Sequence, residues 1–258
     1  MSMSKTGQVV WHDLFTSDTD RAMAFYKCVA GWSYVIEHST DFAWGGGAKD
    51  FILALSGDEA GAGILPAPRG VAEGWLAYVE VPDVDAALAQ AELHGGSIVR
   101  HPFEVPGVGR NAVIRDPLGA LVGVSLSRHS FPVPRRQFGP EVYLSDTGAF
   151  PGIFYREVLG WQAAEPRTLG QGGLATSGPS GRLTAVLQQP DWGTGAQAIW
   201  VPSIRIAALE EAQSAAEANG ACILNRGSVE NGAAHSVILR DPGGALAMLS
   251  DMPASPSR

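Results

Sequence analysis

Two carboxylates, Asp13 and Glu80, lie in stretches of the chain that alternate between apolar and polar residues. Asp13 belongs to the strand candidate 9–15 and Glu80 to the strand candidate 75–81, and each has aromatic neighbours. If the strands bring the two carboxylates together, the pKa of one of them rises and that group can act as a general acid or base. The same pair can attract a cationic ligand between tryptophan faces. The alternative is that both side chains end their strands in water and form no site.

The bulk composition excludes several classes of protein. The chain has 258 residues, of which 45% are hydrophobic, so it can bury a substantial core. Its formal net charge is −8 and no cluster of Lys and Arg is present, which argues against a nucleic-acid partner. No apolar run approaches about 18 residues, so no membrane span is expected. The two cysteines, Cys28 and Cys222, form no disulfide framework, and a reducing cytoplasm is the expected location.

Long-range repeats in the sequence indicate two homologous halves. The turn sequence that begins at Asp116 returns at Asp241, an offset of 125, and the same offset relates Trp75 to Trp200. At an offset of 129 the repeated pairs are Phe25 with Phe154, Tyr26 with Tyr155, and Trp32 with Trp161.

Each half divides again into two modules, each predicted to contain a strand, a helix and three further strands. Ser17 or Asp18 is the predicted N-cap of the first helix and Asp83 that of the second, and Gly31 and Gly95 are their predicted ends. One helix for every three or four strands argues against a doubly wound sheet and predicts an α+β fold. The predicted boundaries are a first domain 7–128 with modules 7–68 and 72–128, a linker 129–137, and a second domain 138–252 with modules 138–192 and 196–252.

These motifs together resemble the vicinal oxygen chelate superfamily, the fold of glyoxalases, bleomycin-resistance proteins and extradiol dioxygenases. The first signature is Trp11 to Asp18, then Ala24-Phe25-Tyr26 and Gly31-Trp32; the second is Gly107-x-Gly109-Arg110, then Asp116-Pro117-x-Gly119. The resemblance covers nearly the whole chain and is strongest to a two-domain glyoxalase-like branch often labelled "hydroxylase". It implies four βαβββ modules that form two cup-shaped, sheet-lined glyoxalase-like domains.

The resemblance also implies where a metal would bind. In metal-using members, a His lies seven residues before the Asp that opens the helix, and a carboxylate lies seven residues after the Asp of the Asp-Pro turn. Here these positions hold Trp11, Leu76 and Gly123 in the first half, and Pro140, Val201 and Met248 in the second. None is an ordinary ligand for Zn, Ni, Fe or Mn, so no cofactor is expected and a divalent metal is the alternative. The fallback ligand is His12, which a β-bulge could turn into the cup; otherwise it packs between sheet and helix.

Strand alternation from these positions predicts the lining of the first cup. The predicted walls are Trp11, Phe15 and Leu76, and the predicted polar groups are Asp13, Tyr78, Glu80 and Ser125. Arg110 is a further candidate, either for a substrate carboxylate or as a partner of Asp13. This mixture is typical of a small-molecule site, whereas the second cup is drier. The glycine-rich loop that contains Trp44 is either a lid or a hairpin tip.

Three functions fit these residues. The first is binding of a small organic molecule in the cup without a metal, as in the drug-sequestering branch of the superfamily. The second is a glyoxalase-like lyase, isomerase or dioxygenase that acts on an oxygen-rich metabolite, with a divalent metal or with acid-base chemistry by Asp13 and Glu80. The third is a structural or partner-binding module with filled cups. The expected protein is a monomeric pseudo-dimer or a homodimer.

Overall fold

A computed structural model describes residues 5–40, 43–44, 46–68, 72–163, 175–177, 183–229 and 234–251. The first module consists of β1 (Val9–Thr16), α1 (Thr19–Ala30), β2 (Ser33–Ser39), β3 (Lys49–Ser56) and β4 (Glu59–Pro66). Helix α1 begins where the Asp18 carboxylate accepts a hydrogen bond from Arg21 N at 2.9 Å, which satisfies a first-turn amide. It ends at Gly31, whose φ of 68° is the left-handed conformation that favours glycine.

The second module repeats this order with β5 (Gly74–Glu80), α2 (Val84–Leu93), β6 (Ser97–Val105), β7 (Gly109–Arg115) and β8 (Leu121–Ser127). The Asp83 carboxylate caps α2 by accepting a hydrogen bond from Ala86 N at 3.0 Å. Asp116 closes the turn between β7 and β8, because its Oδ1 accepts hydrogen bonds from Leu118 N and Ala120 N at 2.9 Å. The cap at Asp83 therefore fixes the start of α2, and the turn at Asp116 fixes the connection between β7 and β8, as the sequence predicts.

The second half follows the same plan. Its third module contains β9 (Glu141–Ser145), α3 (Gly152–Leu159), β10 (Gln162–Ala163), β11 (Ala175–Ser177) and β12 (Leu183–Gln188). The fourth contains β13 (Ala198–Val201), β14 (Ser203–Arg205), α4 (Leu209–Ala218), β15 (Cys222–Val229), β16 (Ala234–Arg240) and β17 (Leu246–Ser250). Its first strand is divided at Pro202, which has no amide hydrogen to donate. The α+β class and the repeated module order predicted from the sequence are confirmed.

The chain folds into two compact units, and each unit takes one module from each half. Unit 1 lies within residues 1–11, 76–133 and 140–200, and unit 2 lies within residues 12–75, 134–139 and 201–258. The compact units therefore do not coincide with the two halves that the sequence repeats. The domain boundaries 7–128 and 138–252 describe those repeated halves and remain a prediction. Strand β1 contributes to both units, since the division falls between Trp11 and His12.

Each unit has its own core, and the order of the hydrogen-bonded strands can be given for each unit. In unit 1 the strand orders are β5-β8-β7-β6 and β10-β11-β12-β9-β13, and in unit 2 they are β2-β3-β4-β1 and β14-β17-β16-β15. Helix α2 packs against α3 in unit 1, and α1 packs against α4 in unit 2. The buried apolar residues cluster around these helix pairs, in one core per unit. No helix in the described part of the chain has the length and hydropathy of a transmembrane span.

A buried hydrogen-bonded linkage in unit 2 joins three of the repeated residues. Tyr26 Oη donates to Asp241 Oδ2 at 2.9 Å, and Trp75 Nε1 donates to the Tyr26 oxygen at 3.1 Å. Asp241 Oδ1 accepts hydrogen bonds from Gly243 N and Ala245 N at 2.9 Å. Burial raises the pKa of Asp241, and burial with the nearby Asp241 carboxyl raises the pKa of Tyr26 well above its usual value. The Tyr26 hydroxyl therefore keeps its proton and serves as a donor.

Unit 1 contains the same linkage with one additional donor. Tyr155 Oη donates to Asp116 Oδ2 at 2.8 Å, and Trp200 Nε1 donates to the Tyr155 oxygen at 2.7 Å. Tyr143 Oη also donates to Asp116 Oδ2, at 2.6 Å. Burial raises the pKa of both tyrosines, so both act as donors. At an offset of 129, Tyr143 corresponds to Leu14, so unit 2 lacks this second hydroxyl.

Candidate functional site

The sheet of unit 1 has one face against the helices and one face turned away from them, which we call the helix-free face. Val79, Val122 and Val124 belong to the core around α2 and α3. Because successive strand residues face opposite sides, Tyr78 and Glu80 point away from that core. Their cross-strand partners on β8 are Gly123 and Ser125. Leu76, Tyr78, Glu80 and Ser125 thus share the face that the sequence register predicts.

Leu76 and Gly123, two of the positions at which the resemblance would place metal ligands, lie on this face. Trp11 and Leu76 offer no donor to a hard or borderline cation. Gly123 lies beneath the Tyr78 ring, because a methyl group built on it would lie 2.3 Å from Tyr78 Cδ1. A carboxylate-bearing side chain at position 123 is incompatible with this ring position. These residues therefore do not fit a divalent metal, and the described residues contain no group of three His, Cys, Asp or Glu that could hold one.

The Glu80 carboxylate connects the ends of two strands. It accepts a hydrogen bond from Ser127 Oγ at 2.6 Å, and Ser127 N lies 3.1 and 3.3 Å from its two oxygens. Ser125, directly across from Glu80, is buried and pairs on its other side with Asn111 of β7. Glu80 and Ser125 are therefore brought together, and the Glu80 carboxylate already has a structural partner.

Arg110 lies on the helix side of β7, with the core residues Ala112 and Ile114. Its Nη2 donates to both carboxylate oxygens of Asp85 in α2, at 2.8 and 3.0 Å. The hydrogen bond to Asp85 is the main reason that the pKa of Arg110 is raised. Arg110 thus connects strand to helix, and the structure does not bring it to the helix-free face with Tyr78 and Glu80.

His12 belongs to the core side of unit 2. It is 3% exposed, and its ring stacks on Phe138 with centroids 3.8 Å apart and planes 25° apart. The Trp75 ring stands edge-on to it at 6.4 Å. Leu14, two residues further along β1, is part of the same core. No bulge turns His12 to the helix-free face, so the fallback metal ligand lies among aromatic rings.

In unit 2 the helix-free face is likewise the side of the sheet turned away from α1 and α4, and it carries Asp13 and Phe15, which alternate with the core residue Leu14 along β1. Asp13 is 4% exposed and pairs with Gly63 of β4. A methyl group built on Gly63 would lie 2.8 Å from Phe51 Cζ and 3.0 Å from Asp13 Oδ1, so an aromatic edge and a carboxylate oxygen meet above this glycine. Phe15 packs edge-to-face on Trp44, with centroids 4.8 Å apart and planes 72° apart.

Phe51 and Trp44 also belong to this face, although the sequence analysis did not include them in the predicted lining. Along β3, Phe51 and Leu53 are half-buried, whereas Ile52 and Ala54 are buried in the core. That alternation was the available signal, because it places Phe51 on the side of Gly63. For Trp44, which lies in a loop, the aromatic type was the only signal. Asp13 and Phe15 lie in unit 2, whereas Trp11, Leu76, Tyr78, Glu80 and Ser125 lie in unit 1.

Comparison with known proteins agrees with this fold. The model of the Glyoxalase/Bleomycin resistance protein/Dioxygenase superfamily matches residues 7–124. "Putative glyoxylase CFP32" of Mycobacterium tuberculosis (strain CDC 1551 / Oshkosh) is 36% identical over 123 residues, 47% of this chain and 45% of that protein. "Anthracycline biosynthesis protein DauV" of Streptomyces sp. (strain C5) is 27% identical over 185 residues, 64% of this chain and 65% of that protein. The match spans about half the length of the first relative and somewhat under two thirds of the second.

Solved structures of low sequence identity share the fold. A triple mutant of 4-hydroxymandelate synthase from Streptomyces coelicolor has a TM-score of 0.65 at 13% identity, over 99% of this chain and 95% of that chain. The Mn(II)-bound glyoxalase from Novosphingobium aromaticivorans has a TM-score of 0.63 at 16% identity, over 98% of this chain and 84% of that chain. Residues 7–124 match the model of the glyoxalase, bleomycin-resistance and dioxygenase superfamily, which is the family that the sequence motifs resemble.

Proposed function

We propose that this protein binds a small organic molecule on the helix-free face of unit 2 and that binding uses no metal ion. The observation that carries the proposal is the arrangement above Gly63, where the Phe51 edge and the Asp13 carboxylate meet. An aromatic surface with a single buried polar group is the usual composition of a small-molecule site. Phe51 and Leu53 are partly exposed, so this side of β3 is in part accessible from solvent.

The residues of unit 1 are the reason that we propose binding without a metal ion. Trp11, Leu76 and Gly123 stand where metal-using members of the superfamily have ligands, and the Tyr78 ring covers Gly123. The Mn(II)-bound glyoxalase shares the fold at 16% identity, which leaves the chemistry of this chain to its own residues.

Thermal-shift screening of a chemically broad library tests the binding function. A ligand that binds only the folded protein raises the melting temperature with its concentration. Phe51→Ala should abolish the shift, whereas Ile36→Ala, an exposed apolar truncation on the other face of the same sheet, should preserve it. Protein purified without chelator and reloaded with Zn, Ni, Fe and Mn should hold well below one metal per chain. Stoichiometric metal would refute metal-free binding.

A second candidate function is glyoxalase-like catalysis, and the buried Asp13 carboxylate among aromatic rings is the observation that favours it. The relative that is named a putative glyoxylase, at 36% identity, also supports this second candidate function. In this alternative Asp13 would accept or return a proton, because a carboxyl in an apolar site is suited to acid-base work. Turnover of a 2-oxoaldehyde with a thiol, or of a catechol, that disappears in Asp13→Asn would establish it. No turnover with either substrate class would leave binding as the function.

A further inference from the structure

We infer that the outer edge of strand β2 pairs with the same strand of a second copy of this chain, in a symmetric antiparallel dimer. Strand β2 is the outermost strand in the order β2-β3-β4-β1 of unit 2. The inference concerns only this edge and does not depend on the small-molecule binding proposed above.

The backbone of β2 gives the first argument. The strand pairs with β3 along all seven of its residues, Ser33 to Ser39, without a register shift. A strand with one neighbour directs about half of its N–H and C=O groups to the opposite edge. In the part of the chain that the structure describes, no turn, loop or side chain forms a hydrogen bond with the backbone of residues 33–39. These groups are therefore available to another strand.

The exposed side chains of β2 give the second argument. Val35 is 47% exposed and Ile36 is 58% exposed, and the two point to opposite sides of the sheet. Ile36 lies directly across from the buried Ile52 of β3, so the apolar side of the sheet extends beyond the core to its edge. A neighbouring strand would cover apolar surface on both sides of β2.

Comparison with two other outer strands gives the third argument. Strand β6 contains Arg100 and Pro102, and its pairing with β7 shifts register twice. Strand β15 contains Arg226, and its pairing with β16 shifts register between Ile223 and Asn225. Bulges, prolines and basic side chains are the features that keep an edge strand from pairing with another chain. Strand β2 has no bulge, no proline, no lysine and no arginine.

The sequence of β2 indicates a second copy as the occupant. A two-fold axis perpendicular to the sheet makes two identical strands antiparallel, and a centre at Ile36 pairs all seven residues of each strand. In this register Ile36 lies opposite itself, and Val35 lies opposite Glu37 of the second copy. The two Glu37 carboxylates are then diagonal to each other, whereas a centre at Glu37 would place them directly opposite, which is destabilising.

The contact is small, and its size determines the expected affinity. Seven residues from each chain bury less surface than the roughly 1,600 Å² of a standard stable interface. We therefore expect monomer and dimer to exchange in a concentration-dependent equilibrium. Sedimentation velocity between about 5 and 500 µM protein should show the average mass rising from one chain toward two.

The first test changes the chemistry at the axis. Ile36→Lys should raise the dimer dissociation constant about tenfold or more, because two ammonium groups would meet where two apolar side chains met. Leu93→Lys is the matched control, since Leu93 is an apolar residue of α2 that is 72% exposed. It should leave the equilibrium unchanged. Circular dichroism checks that both variants fold.

The second test determines the register by disulfide formation. Cys28 and Cys222 are exposed and are first replaced by serine. In that background Ile36→Cys should form an interchain disulfide under mild oxidation, because directly opposite residues have Cα atoms about 4.5–5.5 Å apart, within disulfide reach. Val35→Cys should cross-link far more slowly, since its counterpart is diagonal at about 7–8 Å.

Three results would overturn the inference. They are a single-chain mass at every concentration, a dimer that Ile36→Lys leaves intact, and cross-linking of Val35→Cys as fast as that of Ile36→Cys. Loss of the dimer in Ile36→Lys alone, together with selective cross-linking of Ile36→Cys, would establish pairing of the two β2 edges.

Discussion

Tyr26 and Asp241 are 215 residues apart in the chain and 2.9 Å apart in the core of unit 2, where the phenol donates to the carboxylate. Tyr155 and Asp116 form the equivalent bond in unit 1 at 2.8 Å. Each bond joins a helix of one half of the chain to an Asp-Pro turn of the other half. The residues that the sequence repeats most clearly are therefore residues that hold modules together.

Removal of these phenolic hydroxyls should affect the two units unequally. Tyr26→Phe should lower the free energy of unfolding by about 1–3 kcal/mol, because the buried Asp241 Oδ2 loses its hydroxyl donor. Tyr155→Phe should cost less, since Tyr143 still donates to Asp116 at 2.6 Å. Urea unfolding midpoints measure the difference, with Tyr34→Phe as a control that removes a partly buried hydroxyl bond to a backbone carbonyl. Equal losses in the first two variants would contradict the role of Tyr143.

The raised pKa of Asp241 predicts a pH dependence of stability. The folded state binds this proton more tightly than the unfolded state, whose Asp pKa is about 3.9. The resulting stabilisation is complete below that value and is lost as the pH rises through the higher folded pKa. Relative to wild type, Asp241→Asn should therefore become less destabilising as the pH increases from about 4. Urea midpoints of both proteins between acid and neutral pH test this, and a constant difference would be the contrary result.

The position of the Tyr78 ring should require a glycine at position 123. Gly123→Ala places a methyl group 2.3 Å from Tyr78 Cδ1, so the ring must move, at a cost of about 1–3 kcal/mol of stability. In a Tyr78→Leu background the same substitution should cost much less, because the obstructing ring is gone. A double-mutant cycle of unfolding free energies measures this coupling. If Gly123→Ala costs the same in both backgrounds, another contact requires the glycine.

Arg110 should contribute to the strand–helix connection and leave ligand binding unaffected. Arg110→Gln removes the hydrogen bonds from Nη2 to both carboxylate oxygens of Asp85 and should cause a small loss of stability that shrinks with added salt. Asp85→Asn is the matched variant and should reproduce it. Ligand affinity, measured by titration, should be unchanged in both. A specific loss of affinity in Arg110→Gln would mean that the guanidinium reaches the ligand.

The sequence predicts the modules well because their signals are local. Asp18, Gly31, Asp83 and the turn at Asp116 each act within a few residues through capping or turn hydrogen bonds. Module pairing was not predictable in this way. A tyrosine at position 26 is chemically able to bond the Asp of either Asp-Pro turn, and only the folded packing selects Asp241.

The candidate site was predictable where strand alternation is regular. Tyr78, Glu80 and Ser125 fall on one face because β5 and β8 pair without a register shift. Arg110 does not lie on the face that carries Tyr78, Glu80 and Ser125, because neighbouring residues of β7 point to opposite sides of the sheet and Arg110 points to the helix side. The alternation along β3 indicates the side of the sheet on which Phe51 lies, but the residue of β4 that it meets depends on the pairing of β3 with β4, which shifts register near Ala54.

The interleaving of modules has a consequence for any chain divided between its halves. Unit 1 needs residues 76–133 and 140–200, and unit 2 needs residues 12–75 and 201–258, so each half-length fragment would carry only part of both cores. Such fragments would have to meet each other, or a second copy of themselves, before either core could close. In the intact chain, the connecting segment keeps the partner modules at an effective concentration on the order of millimolar. Because both halves belong to one chain, the pairing of their modules is a folding step that does not depend on protein concentration, whereas the pairing of separate fragments would depend on it.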